Sequence, residues 1–206
     1  NYKNQLTPTQ YQDLTHFEGN ANGLKILMES REGVPGGLRL SYATLGAFTK
    51  YPKASLPHKP TKHVADKKFG FFQAQLTTYS EVAKDLGLIA AGDKLMRHPL
   101  AYLVEAADDI CYTLIDFEDG INLGWISEDY ALEYLIKLVK DTIDTNKYQQ
   151  LTTKTDRLAY LRALSISTLI QEAAQLFMQH EQEIMDGTFT SSLTDISLYK
   201  AQIKDI

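Results

Sequence analysis

Asp108, Tyr112 and Asp116 recur at i, i+4 and i+8 in the run HPLAYLVEAADDICYTLIDFEDG, residues 98–120. On a helix that spacing stacks the three side chains on one side. At about 100° per residue, Glu105, Asp109 and Asp119 fall on the same arc. Leu100, Leu103, Val104, Ala107, Ile110, Cys111, Leu114 and Ile115 fill a broad apolar face beside it. Like charges one turn apart destabilise a helix by about 0.2–0.5 kcal/mol per pair. No lysine or arginine within the run offsets the five carboxylates of that arc, Glu105, Asp108, Asp109, Asp116 and Asp119. A cation, or basic groups brought from elsewhere in the fold, would. Tyr112 adds a flat surface and a phenol beside the carboxylates, a combination suited to a sugar hydroxyl. A solvated acidic face has the same pattern, and the residues alone leave both readings open.

A second cluster has the opposite charge. Residues 52–68, PKASLPHKPTKHVADKK, hold five lysines, three prolines and two histidines in an otherwise acidic chain. The segment reads as a loop, either simply solvated or bringing positive charge to phosphates. His58 and His63, set among Pro and Lys, read as solvated or phosphate-facing side chains rather than metal ligands. Cys111 falls on the apolar face with no basic partner in its helix, as a core residue would rather than a nucleophile. Arg157 and Arg162 of DRLAYLRALS read as surface residues of a long helix, within reach of a phosphate or a neighbouring subunit. No Gly-rich phosphate motif and no Ser-His-Asp arrangement is present.

The elements needed to position these groups are helical almost throughout. The chain has 206 residues, 44% of them hydrophobic and 23% charged, enough for one sizeable core. Thr7-Pro8-Thr9-Gln10 is a capping box with proline at the first helical position, predicting a helix toward Glu29 with a kink at Gly19. Gly33 to Gly37, with Pro35, is a break. Further helices are expected over Leu38–Tyr51, over Phe71–Leu86 with Gly87 as its cap, over 98–120, from Ser127 through Val139, and from Thr155 to Asp186. No β-alternation of useful length appears. The expectation is an all-α multi-helix bundle forming a single helical domain over 1–206. The formal charge of −5 argues against a surface built wholly for nucleic acid. One cysteine excludes an internal disulfide. The absence of a long apolar stretch or an apolar leader predicts a cytoplasmic chain without membrane association.

The run HPLAYLVEAADDICYTLIDFEDGI resembles the distal signature of the HD-domain deoxynucleoside triphosphate triphosphohydrolases, the bacterial dGTPase family. HFEGNANGLKIL resembles that family's FEGNAQ-type helix, GLRLSYATLGAFTKYP the segment after it, and KKFGFFQAQ its KxGFF-type stretch. These segments come in family order from about Phe17 to Gly120; beyond about residue 125 the match is only to generic helices. The resemblance implies an HD-domain-like bundle and a divalent metal such as Mg or Mn. Asp108 matches the distal metal ligand. Tyr112 and Asp116 match positions that contact the deoxyribose. Asn20 matches a residue lining the pocket, and Lys50, Tyr51 and Lys68 match segments near the nucleotide. The departure is large: no His-Asp dipeptide occurs, and His16, His58, His63, His98 and His180 all lack the upstream H…HD surroundings. Three of four metal ligands and the upstream acid/base residues are therefore missing, so no catalytic residue is assigned within this chain. With no initiator Met and an end at AQIKDI, the chain reads as the middle to C-terminal part of a larger HD-domain enzyme.

The implied activity is hydrolysis of dGTP, or dNTPs generally, to the deoxynucleoside and inorganic triphosphate, in a homo-oligomer. Two alternatives stand beside it. One is a non-catalytic helical module, regulatory or oligomer-forming. The other is a binder of single-stranded DNA using the basic loop, whose affinity would depend on salt.

Overall fold

The computed structural model describes residues 2–30, 32–33, 38–57, 61–90 and 92–204. Among the described residues there are eleven α-helices, three short 3-10 turns and no strand. Only isolated bridges, Ala54 with Phe71 and Ile89 with Leu95, show β pairing. The chain is all-α. Most of the break at Gly33–Gly37, and His58, lie outside the described residues.

Packing divides the chain into two compact units, 1–104 with 181–191, and 105–180 with 192–206. In the first unit, α1 (Pro8–Thr15) begins at the expected capping box, with Thr7 and Gln10 bonded reciprocally. The expected kinked helix to Glu29 is instead two helices. His16 ends α1 in extended conformation, and the Glu18 carboxylate accepts from Asn20 N to start α2 (Gly19–Met28). The helix expected over Leu38–Tyr51 shortens to α3 (Tyr42–Phe48), because the Ser41 hydroxyl caps it by accepting from Thr44 N. Residues 52–57 and 61–68 form the expected loop, apart from a 3-10 turn at Val64–Asp66. A second 3-10 turn, Gln73–Gln75, leads into α4 (Leu76–Asp85), and Gly87 follows at φ +68°. Leu24, Leu45, Phe71, Tyr79, Val82 and Leu88 make the core of this unit, with Phe71 stacked on Tyr79 at 4.6 Å between ring centroids. Fully burying such a side chain contributes about 1.5–3 kcal/mol.

A 24-residue helix, α5 (Pro99–Asn122), carries the acidic run; its residues from Glu105 onward belong to the second unit. There, α6 (Glu128–Val139) starts at the expected Ser127 cap and packs on α8 (Lys154–Gln179). The long run expected to Asp186 breaks at His180, which leaves helical geometry. The short α9 (Glu181–Met185) follows, and Gly187 sits at φ +69°. Three short helices escape the periodicity: α7 (Thr145–Gln150), α10 (Leu193–Ile196) and α11 (Lys200–Lys204). Each spans fewer than two turns, too short to leave a readable apolar period. Phe117, Leu114, Leu135, Leu138, Leu161 and Leu169 form the buried interior of this unit.

Candidate functional site

The buried side of α5 differs from the one the helical wheel selects. Ala101, Tyr102, Glu105, Ala106, Ile110, Thr113, Leu114 and Phe117 face inward. Leu100, Val104, Ala107, Cys111 and Ile115 are exposed, so Cys111 is a surface thiol and not a core residue. Apolar residues occupy more than half of this helix's circumference, and the wheel alone cannot say which part the core takes. The two aromatic rings Tyr102 and Phe117 decide it, because they bury the most area. Glu105, expected on the open arc, is 7% exposed.

The acidic run itself is divided in role. The Thr194 hydroxyl donates to Asp109 Oδ2 at 2.6 Å, which ties α5 to the start of α10. Asp109 is thereby engaged in the fold. Asp108 is half-buried on the neighbouring arc, and one and two turns further along, Tyr112 and Asp116 are exposed, Tyr112 by 64%. The ladder is therefore presented outward by α5, with its three groups one turn apart. Elsewhere on α5, Glu118 pairs with Arg162 of α8, and both line a cavity of about 240 Å³ with Leu114, Phe117, Ile121, Leu135 and Leu158. Arg157 is held locally, its Nε donating to the Leu151 carbonyl at 3.0 Å and its guanidinium over the Tyr148 ring.

The remaining candidates belong to the first unit and form two groups. Asn20 and Lys68 converge on Glu18. Asn20 Nδ2 donates to Glu18 Oε1 at 2.8 Å, and Lys68 Nζ lies 3.8 Å from the same oxygen. Lys50 and Tyr51 are organised by Arg97, which is 3% exposed. Its Nε donates to the Lys50 carbonyl at 2.6 Å, and its guanidinium lies 5.8 Å from the Tyr51 centroid and 4.8 Å from that of Tyr102. A guanidinium suits this place because it can hydrogen-bond in plane and meet aromatic faces at the same time. Gly70 closes the arrangement. Its N–H donates to the Lys53 carbonyl at 2.9 Å, and a Cβ there would lie 2.2 Å from the Tyr51 carbonyl oxygen. Sequence reasoning missed Arg97 and Gly70. The signal for Gly70 was its place between the lysine-rich loop and two phenylalanines; Arg97 carried none beyond being a cation just ahead of the α5 start.

In the lysine-rich segment, His63 Nδ1 accepts from Ala65 N at 3.0 Å, so the neutral ring carries its proton on Nε2. Burial lowers its pKa, and the nearby Lys94 and Arg97 lower it further against the opposing pull of Asp66. Among the described residues, no group of three or more His, Cys, Asp or Glu side chains could hold a metal ion. Nor, among them, is any helix long and apolar enough to cross a membrane.

No family model matches the chain. Individual relatives do. A deoxyguanosinetriphosphate triphosphohydrolase-like protein of Synechocystis is 40% identical over 98% of this chain and 47% of its own length. One of Pseudomonas aeruginosa is 36% identical over 93% of this chain and 44% of its own length. A deoxyguanosinetriphosphate triphosphohydrolase of Yersinia enterocolitica is 29% identical over 90% of this chain and 39% of its own. The chain spans less than half the length of these curated relatives. The similarity runs along nearly the whole of this all-α chain. Over the stretch it spans, it belongs to the deoxyguanosinetriphosphate triphosphohydrolase-like family.

Proposed function

We propose that the protein containing these residues hydrolyses dGTP or other dNTPs to the deoxynucleoside and inorganic triphosphate. The oxygen of water forms a bond to the α-phosphorus, the bond from that phosphorus to the 5′-oxygen breaks, and the 5′-oxygen takes up a proton. This chain's share is to bind and orient the nucleotide and to offer one carboxylate to a centre completed elsewhere. Asp108 is that carboxylate; a divalent metal bound there would supply Lewis-acid stabilisation of charge on the α-phosphate. Tyr112 lies against the deoxyribose, where its ring crowds a 2′-hydroxyl, and Asp116 accepts from a sugar hydroxyl. Asn20 lines the nucleotide pocket, and Lys50, Tyr51 and Lys68 meet the nucleotide and its triphosphate. One observation carries the reading: Asp108 shares one arc of α5 with Tyr112 and Asp116, one and two turns further along, both of them exposed. The test is product analysis. Full-length protein with Mg or Mn and each dNTP is expected to release deoxynucleoside and tripolyphosphate in equal amounts. Release of pyrophosphate or orthophosphate alone, or no turnover of any dNTP, contradicts the proposal.

A further inference from the structure

Two stretches of the first unit run side by side. Gly70 N donates to the Lys53 carbonyl at 2.9 Å, Ala54 bridges Phe71, and Ser55 N donates to the Phe71 carbonyl at 3.2 Å. The bridge is parallel, so both stretches enter this pairing from one end and leave it at the other. Lys50 and Tyr51 lie on the way in along one stretch, and Lys68 along the other. On the way out, a single carboxylate takes hold of both. Asp13 of α1 is half-buried. Its Oδ1 accepts from Ser55 Oγ at 2.9 Å and from Gln73 N at 3.0 Å, and its Oδ2 accepts from Ala74 N at 3.2 Å. The Gln73 side chain closes the ring, its Nε2 donating to Ser55 Oγ at 3.2 Å and to the Leu56 carbonyl at 3.3 Å. Ser55 is 1% exposed, so its hydroxyl is satisfied by these protein groups rather than by bulk water. The same α1 leads into α2, whose Ala21 packs with Phe69 and Phe72 and whose Asn20 meets Lys68 on Glu18.

We propose that Asp13 is a positioning residue of the nucleotide site, fixing Lys50, Tyr51 and Lys68 relative to one another and to Asn20. This rests on the reading that those residues meet the nucleotide. Asp13 acts through the two paired stretches and through α1, at the end of the pairing away from the lysines; Arg97 holds the other end through the Lys50 carbonyl. A carboxylate suits the place because its two oxygens accept from two consecutive backbone N–H groups and still take the serine hydroxyl. Those N–H groups open the 3-10 turn Gln73–Gln75 and have no partner within it. Asparagine brings one acceptor oxygen, so it cannot serve both N–H groups in the same way, and alanine brings none. Once released, the 53–56 and 70–74 stretches can shift against α1, and the lysines they carry shift against Asn20.

The experiment compares Asp13→Ala, Asp13→Asn and Val82→Ala in the full-length protein, reading KM and kcat for the dNTP turned over fastest together with the urea midpoint. Asp13→Ala is expected to raise KM roughly 2- to 30-fold with kcat little changed, as loss of uniform binding does, and Asp13→Asn to raise it by less. Val82, fully buried on α4, supplies the control: Val82→Ala opens a cavity in the core of the same unit and should lower the midpoint without moving KM. An unchanged KM in both Asp13 variants overturns the proposal, whatever their midpoints. So does a KM raised as far by Val82→Ala, which would make the effect a general loosening. Should Asp13→Ala not fold, Asp13→Asn carries the comparison with the same outcomes. If the unmodified protein turns over no dNTP, the proposed activity fails, and calorimetric binding of inorganic tripolyphosphate decides this inference instead. Weaker binding by Asp13→Asn than by Val82→Ala supports it; equal binding, or none by any of the proteins, overturns it.

Discussion

Replacing Gly70 with alanine tests whether the turn that carries Lys50 and Tyr51 is held as described. The added Cβ would lie 2.2 Å from the Tyr51 carbonyl oxygen, where ordinary contact begins at 3.4 Å, a shortfall of about 1.2 Å. The obstacle is backbone, so no side-chain rotation relieves it. Either the 51–53 turn or the segment at Gly70 must shift, and the bond from Gly70 N to the Lys53 carbonyl is lost with it. Overpacking costs about 1–3 kcal/mol and the lost bond about 0.5–1.5 kcal/mol. The alanine restores about 0.4–1 kcal/mol by restricting the unfolded chain, since Gly70 has no positive φ. The net loss is about 0.5–4 kcal/mol, centred near 2 kcal/mol. Urea unfolding of the full-length protein measures it, with Gly19→Ala as the control, because nothing lies within 4 Å of a Cβ at Gly19. In the same variant, KM for the nucleotide should rise as Tyr51 moves. Equal midpoints for Gly70→Ala and Gly19→Ala would refute the reasoning.

Asp116→Ala is expected to raise KM roughly 2- to 13-fold, the equivalent of about 0.5–1.5 kcal/mol for one hydrogen bond, and Tyr112→Ala to narrow the ratio of kcat/KM between dGTP and GTP; an unchanged ratio would remove the ring from the sugar site. The depressed His63 gives stability a defined pH dependence. Its folded pKa lies below the ordinary histidine value of 6.5, so as pH falls through about 6.5 the unfolded chain binds the proton first and stability drops, levelling off below the folded pKa. His98, lowered by burial, adds a drop of the same sign. The urea midpoint should therefore be lower at pH 5.5 than at 7.5, and by less in His63→Gln; an identical difference in both proteins would place the titration elsewhere.

Particular residues show how far the sequence was legible. Local signals with a short-range mechanism were readable: the Thr7–Gln10 box, the Ser127 cap, and Gly87 and Gly187 at positive φ all stand where their residue types require. Lengths were less so. Glu18 and Ser41 each begin a helix by capping a backbone N–H, and cut short runs whose apolar period was continuous. The acidic ladder on α5 was visible from its spacing, but the side of α5 that faces the core was not, since Cys111 and Ile115 are as apolar as Ile110 and Leu114. The role of Arg97 depends on Lys50, Tyr51 and Tyr102, and no spacing rule links a cation to a carbonyl 47 residues away.

The central claim is that α5 offers Asp108, and not its neighbour Asp109, to the reacting centre. The direct measurement compares Asp108→Asn and Asp109→Asn in the full-length protein, reading bound divalent metal, tripolyphosphate release and the urea midpoint together. Asp108→Asn should lose metal and turnover. Asp109→Asn should keep metal while its midpoint falls, since a hydrogen bond to a charged acceptor is weakened and such bonds contribute about 1.5–3 kcal/mol. Metal lost from Asp109→Asn and retained in Asp108→Asn would contradict the account.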